Sequence, residues 1–170
     1  MSPGFGHPIP ESPTPIPPST LSRALTLSTH IAAAPEQVWA TVMDPDRLGQ
    51  WVTIHRALRW ADSGAPRVGY EMEQQVHLRG VSLDVHWRLV QCEPQRLAVW
   101  EGRGPARSRA HTEYALRPER GGTHFDYRNE FSPPLGPVGA LASRALVGGM
   151  PEREARRTIE RLRELLEGPH

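Results

Sequence analysis

The chain has 170 residues, which is enough for one domain with a sizeable core and an additional segment. Its 20 basic and 19 acidic residues nearly cancel, so it lacks the excess positive charge that attracts nucleic acid, and we expect no nucleic-acid partner. Because Cys92 is the single cysteine, the chain can form neither an intrachain disulfide nor a thiolate metal cluster.

The first 20 residues are rich in proline and have no periodic apolar face. We predict a disordered, locally extended tail over residues 1–20 and one domain over residues 21–168. The stretch PIPESPTPIPP in the tail is a candidate docking segment for a protein partner. The sequence shows neither the apolar run of a secretory signal nor one long enough for a membrane span, so we predict a cytoplasmic protein.

Residues 22–51 predict one strand and two short helices. The segment SRALTLSTHI (22–31) alternates apolar and polar residues, as a half-buried strand does. AAPEQVWATV (33–42) has a proline where the first helical turn tolerates it and apolar residues at helical spacing. The Asp44-Pro45 pair ends this helix and begins a second short one that ends near Trp51.

The next segments predict two β-hairpins with a strand, RLAVWEG, between them. In the first hairpin, VGYEMEQQVHLRG and VSLDVHWRLVQCE flank a two-residue turn at Arg79-Gly80, which pairs Met72 with Trp87 and leaves one face almost wholly apolar. In the second, SRAHTEYALR and THFDYRNEF flank PERGG. We predict that this second hairpin pairs Tyr114 with Phe125.

The end of the chain predicts helix. PVGALASRAL (137–146) and PEREARRTIERLRELLE (151–167) have helical patterns, and the second has an amphipathic apolar face. The run Gly148-Gly149-Met150-Pro151 between them predicts a break or a sharp kink. The order of elements predicts an α+β fold, in which a curved antiparallel sheet wraps around a long, kinked C-terminal helix, with two short helices after the first strand.

Three segments resemble, in order, the START-like or SRPBCC superfamily, which includes polyketide cyclase/dehydrase-like proteins and carriers of hydrophobic ligands. They are IAAAPEQVWATVMDPDRLGQW (31–51), VQCEPQRLAVW (90–100) and FSPPLGPVGALASRAL (131–146). The resemblance extends over residues 22–167 and implies a helix-grip fold, whose short helices plug one end of the sheet. The proline-rich tail and the Gly-Gly-Met-Pro interruption depart from the family's pattern.

The histidines and the cysteine do not predict a reactive site. His77, His86, His111 and His124 alternate out of phase with the apolar residues of the hairpins, so we expect them to face solvent and hold no metal. Cys92 has no base near it in the sequence that would activate it as a nucleophile. We therefore assign no catalytic residue, no metal site and no cofactor.

The inward face of the sheet is the predicted ligand site. It is mostly apolar with a few separated hydrogen-bonding groups, which is typical of small-molecule pockets. A buried amide or hydroxyl needs a partner, and an open cavity would supply water or a ligand. The candidate ligand-binding residues are Tyr70, Met72, Gln74, Trp87, Thr112, Tyr114, Tyr127 and Asn129.

Three functions follow from these observations. The first is binding of a hydrophobic or aromatic small molecule in a cavity between the sheet and the C-terminal helix. The second, implied by the resemblance, is a polyketide cyclase/aromatase-like enzyme, in which Thr112, Tyr114, Tyr127 and Asn129 shuttle protons. The third is an accessory protein-interaction module that uses the last helix and the proline-rich tail.

Overall fold

The computed structural model describes residues 23–132 and 150–168. It confirms the α+β fold class, with a curved antiparallel sheet, two short helices after the first strand, and a C-terminal helix. The strands are β1 (Arg23–Ile31), β2 (His55–Ala61), β3 (Glu71–Leu78), β4 (Val81–Glu93), β5 (Leu97–Arg103), β6 (Arg109–Glu119) and β7 (Gly122–Ser132); the helices are α1 (Pro35–Val42), α2 (Leu48–Trp51) and α3 (Glu152–Glu167).

Three sequence predictions fall on residues outside this description: the proline-rich tail, the helix over 137–146, and the kink at its Gly148-Gly149 step. Within the two described ranges, none of the helices combines the length and the apolar character needed to cross a bilayer.

The seven strands form one sheet in the order β1-β7-β6-β5-β4-β3-β2. Strands β2 to β7 follow one another as a meander, and β1 pairs antiparallel with β7. The first and second strands of the chain are therefore the two edges of the sheet.

The first hairpin has the predicted register. Met72 pairs with Trp87, and the two-residue turn at Arg79-Gly80 joins β3 to β4. Both turn residues are left-handed, with φ of 50° and 81°, as a turn that follows the twist of the strands requires.

The predicted register of the second hairpin is wrong by two residues. The structure pairs Tyr114 with Tyr127 and Glu113 with Arg128. The reason is a tight two-residue turn, in which Gly121 has φ of 80°, where the sequence suggested a longer loop. A shift of two residues keeps every side chain on its predicted face, and it brings opposite charges together on the outer face.

The short helices fill one end of the sheet, as the resemblance implied. Asp44 accepts a hydrogen bond from the Asp46 backbone N–H at 3.0 Å and caps a short 3₁₀ turn that leads into α2. Trp51 at the end of α2 is fully buried and packs edge-on against Tyr114, with ring centroids 5.8 Å apart. Its indole N–H has no hydrogen-bond partner among the described residues.

Helix α3 packs its apolar face against β1 and α2. Ala155 and Leu162 are fully buried in this contact, and Ile159 is nearly so. The Thr53 backbone N–H donates to the Thr158 hydroxyl at 3.1 Å, which joins the segment between α2 and β2 to the helix. The apolar face of the predicted amphipathic helix is therefore buried in the core.

Candidate functional site

A small cavity lies on the concave side of the sheet. Its volume of about 50 Å³ exceeds the roughly 10–15 Å³ that one water requires, but is far below the roughly 300–1,000 Å³ of drug-sized ligand sites. In the described ranges, Leu48 of α2 and Met150, which lies just before α3, line the cavity from the helices, whereas no residue of α3 itself does so. The lining comprises the predicted residues Met72, Gln74, Trp87, Thr112, Tyr114, Tyr127 and Asn129, together with Leu48, Val52, Ile54, Val76, Trp100 and Met150.

Tyr70 lies in a different place from the other candidates. It borders a groove of about 610 Å³ between the short helices and β2, together with Met43 and Asp62. Its ring packs edge-on against the Trp100 ring, with centroids 6.2 Å apart. Burial, and then the charge of Asp62, raise the pKa of the Tyr70 phenol. The structure therefore separates Tyr70 from the cavity.

Gly102 leaves the space that the Trp87 indole occupies in the cavity wall. Gly102 pairs directly with Trp87 across β5 and β4. A Cβ atom at Gly102 would lie 2.8 Å from Val85 Cγ1 and 2.9 Å from Trp87 Cε3, so no larger residue fits without displacing the indole. Trp100, two residues earlier, shares this inner face and was missed as a lining residue, although the alternation of its strand was a usable signal.

The first set of polar side chains in the cavity consists of three residues joined by hydrogen bonds. The Trp87 indole N–H donates to Gln74 Oε1 at 2.9 Å, and Gln74 Nε2 donates to His55 Nδ1 at 2.9 Å. Because Nδ1 accepts, the proton of the neutral His55 ring belongs on Nε2. Burial lowers the pKa of His55, which favours the same neutral form.

The other polar group is built on β6 and β7, where the corrected register brings Thr112 opposite Asn129. Asn129 Nδ2 donates to the Thr112 hydroxyl at 2.9 Å. The Tyr127 hydroxyl lies 3.9 Å from Met150 Sδ, and sulfur is a weak acceptor. Among the described residues, the acceptor for the Tyr127 O–H is therefore a weak one.

The two tyrosines of the cavity keep their protons at neutral pH. Tyr114 and Tyr127 stack with centroids 6.0 Å apart and an interplanar angle of 19°. Burial raises the pKa of both phenols, and the nearby Asn129 amide only partly opposes this for Tyr127. Both side chains can donate a hydrogen bond, and neither is suited to act as a base.

The histidines of the hairpins face outward, as their alternation predicted. His124 Nε2 lies 3.0 Å from Asp126 Oδ1, and on the neighbouring strand β1 His30 Nδ1 lies 2.7 Å from Glu119 Oε2. Cys92 is half-buried, and burial raises the pKa of its thiol, so the thiol stays protonated.

Comparisons with known proteins agree on one family and one fold. The family model described as polyketide cyclase/dehydrase and lipid transport matches residues 22–167. Two relatives come from Mycobacterium tuberculosis: uncharacterized protein Rv1546 is 25% identical over 127 residues, covering 74% of this chain and 89% of the relative. The protein named Toxin Rv0910 is 26% identical over 127 residues, covering 72% and 86%.

Solved structures with a similar fold include TTHA0849 from Thermus thermophilus, with a TM-score of 0.67 and 16% identity over 85% of this chain and 97% of that chain. Another is CV1439 from Chromobacterium violaceum, with a TM-score of 0.60 and 19% identity over 86% and 99% of the two chains. At these identities the likeness shows a shared fold.

Proposed function

Because the chain belongs to the polyketide cyclase/dehydrase and lipid transport family, we propose that it binds a hydrophobic or aromatic small molecule in the cavity on the concave side of its sheet. The observation that carries the proposal is the composition of the cavity wall. Aromatic and aliphatic side chains form most of the wall, and a few convergent polar groups interrupt it, as in small-molecule sites generally.

The size of the cavity sets a condition on binding. A volume of about 50 Å³ does not hold a molecule of a few hundred daltons, so the ligand must displace side chains as it enters. Met150 is the lining residue best suited to move, because its unbranched side chain has three rotatable bonds. Its movement would also release the Tyr127 hydroxyl from its contact with sulfur.

The polar groups indicate what the ligand carries. Gln74 already uses its oxygen for Trp87 and its nitrogen for His55. The Tyr127 hydroxyl, in contrast, has a sulfur acceptor at 3.9 Å, and a carbonyl or ether oxygen would accept its proton more strongly. We therefore expect an apolar ligand with an oxygen that reaches Tyr127 and Asn129.

The test begins with native mass spectrometry of the full chain, purified gently from its own host, and with identification of any molecule released on denaturation. The affinity of that molecule is then measured for Tyr127→Phe, with Tyr70→Phe as the matched control. We expect about a tenfold loss for Tyr127→Phe, because a buried hydrogen bond is lost, and no change for Tyr70→Phe.

A bare mass, together with failure to take up the neutral fluorophore N-phenyl-1-naphthylamine, would contradict the proposal. Equal losses of affinity for the two tyrosine variants would contradict the assignment of the site to this cavity.

A cyclase-like enzyme is the second candidate, because the description of the family includes cyclases and because Thr112, Tyr127 and Asn129 converge at one end of the cavity. With the pKa of Tyr127 raised by burial, these groups would orient a poly-keto chain and donate hydrogen bonds to it. Turnover of a poly-keto substrate that is lost in Tyr127→Phe/Asn129→Ala would favour the enzyme over the carrier.

The accessory role has less support from the described residues. Helix α3 buries its apolar face against β1 and α2, which leaves a charged face for any partner. A partner captured by the full chain but not by a chain lacking residues 1–20 would favour this role.

A further inference from the structure

Charged side chains cover the outer face of the sheet in rows that run across neighbouring strands. One row passes through Glu71, Arg88, Glu101, His111 and Glu130 on five adjacent strands. Acidic and basic side chains alternate along it. Each side chain therefore has neighbours of the opposite kind, which is a favourable cross-strand arrangement.

The next row breaks this pattern. It passes through Glu73, His86, Arg103, Arg109 and Ser132, so that two arginines pair directly with each other across β5 and β6. Like charges in this position are unfavourable. Neither arginine belongs to an ion pair in the described ranges, although other arginines of the same face do.

The turn between these two strands adds a third guanidinium. The Gly104 N–H donates to the Ser108 carbonyl at 3.0 Å, and the buried Ser108 hydroxyl donates to the Pro105 carbonyl at 2.8 Å. Within this anchored turn, Ala106 and Arg107 have φ of 53° and 62°, a left-handed conformation that is unfavourable for both residue types. Such strain persists only where the surrounding contacts hold it.

The three arginines border one concavity. Its volume is about 520 Å³, and among the described residues its lining consists of Arg103, Gly104, Arg107, Ser108 and Arg109. Arg103 and Arg109 also border an adjoining concavity of about 560 Å³, whose lining includes the carboxylates of Glu71, Glu101, Glu113 and Glu130. All three arginine side chains are exposed to solvent.

We propose that Arg103, Arg107 and Arg109 form a binding site for a phosphate group, either free in solution or carried by a lipid headgroup. Guanidinium groups match phosphate oxygens with paired N–H donors. A bound phosphate anion would offset the repulsion between Arg103 and Arg109. The site lies on the opposite face of the sheet from the cavity, so the proposal stands independently of the ligand proposed there.

The test uses the full chain and inorganic phosphate, titrated calorimetrically against a chloride background of constant ionic strength. We expect saturable one-to-one binding that weakens about tenfold or more in Arg103→Gln and in Arg109→Gln, because each change removes hydrogen bonds to a charged group. The matched control is Arg161→Gln, an equal change of charge at an exposed position on α3. This control should bind phosphate as the unaltered chain does.

Thermal unfolding gives a second measurement that does not depend on calorimetric heat. Phosphate should raise the melting temperature of the unaltered chain and of Arg161→Gln, but not of Arg103→Gln. Without phosphate, Arg103→Gln should melt at a higher temperature than the unaltered chain, because the repulsion with Arg109 is relieved. Circular dichroism establishes that each variant is folded, and Arg109→Gln replaces Arg103→Gln if that variant is not.

A second arm separates the two sources of the phosphate group. Sedimentation with phosphatidylcholine vesicles, with and without phosphatidylglycerol, measures binding to a headgroup. Binding in either arm that is lost in Arg103→Gln and kept in Arg161→Gln supports the proposal and identifies the source. Absence of binding in both arms, or an equal loss of binding in Arg103→Gln and Arg161→Gln, overturns the proposal.

Discussion

The hydrogen bond between Gln74 and Trp87 gives a quantitative test of the cavity wall. Gln74 is 5% exposed and Trp87 is 8% exposed, so neither group can exchange its partner for bulk water. Gln74→Leu leaves the indole N–H unsatisfied, and Trp87→Phe leaves the Gln74 oxygen unsatisfied. Each orphaned group costs about 1–3 kcal/mol, whereas the double variant leaves neither group orphaned.

We therefore expect non-additive free energies of unfolding. The double variant Gln74→Leu/Trp87→Phe should be less destabilised than the sum of the single variants by about 1–5 kcal/mol, which is the cost of the two orphaned groups less the net hydrogen bond. Urea denaturation of the four proteins gives this coupling energy directly, and the cycle cancels the change in volume and hydrophobicity that each substitution brings.

A second cycle serves as the control, with Gln75→Leu in place of Gln74→Leu. Gln75 is the next residue on β3, and its side chain points to the outer face, away from Trp87. Its coupling to Trp87→Phe should stay within about 0.5 kcal/mol of zero. Equal coupling energies in the two cycles would refute the reasoning, because the buried hydrogen bond would then contribute nothing measurable.

Two further predictions concern pH and the C-terminal helix. Because burial lowers the pKa of His55 below 6.5, the unfolded chain binds its proton more readily, and the free energy of unfolding should fall as the pH drops below 6.5 until it passes the folded pKa. Denaturation between about pH 8 and about pH 5 should show a smaller fall in His55→Gln, and parallel profiles would contradict the assignment. Leu162 is fully buried, so Leu162→Ala should cost about 2–5 kcal/mol, whereas Leu165→Ala at a half-buried position should cost clearly less. Similar urea midpoints for the two leucine variants would show that α3 does not pack as described.

The first hairpin was predictable because local chemistry decides it. Gly80 in a two-residue turn, flanked by alternating apolar residues, favours the register that brings Met72, Val76, Val85 and Trp87 onto one buried face. The second hairpin has the same alternation, but two registers separated by two residues bury the same faces. The observed register pairs Glu113 with Arg128, whereas the predicted one sets Glu113 opposite Asp126. A comparison of these cross-strand charges would have selected the observed register.

The sequence predicts which residues line the candidate site, but it does not predict the size of the cavity. Alternation along β3, β4, β6 and β7 places seven of the eight candidates on the lining of the cavity, all except Tyr70. Tyr70 continues the same alternation and is buried, but its ring packs against Trp100 and borders the groove next to the short helices. The small volume depends on how Trp87 and Trp100 pack, and Met150 comes from outside the sheet; no periodicity in one segment contains this information.

The pairing of β1 with β7 determines the order in which the sheet can be completed. The meander from β2 to β7 closes only short loops, whereas β1 must find a partner roughly 100 residues away in sequence, a contact that is slow to form. During synthesis β1 emerges first, and its partner strand is among the last segments to emerge. Until then its row of backbone N–H and C=O groups has no strand to pair with, so β1 is the segment that most needs protection from other chains.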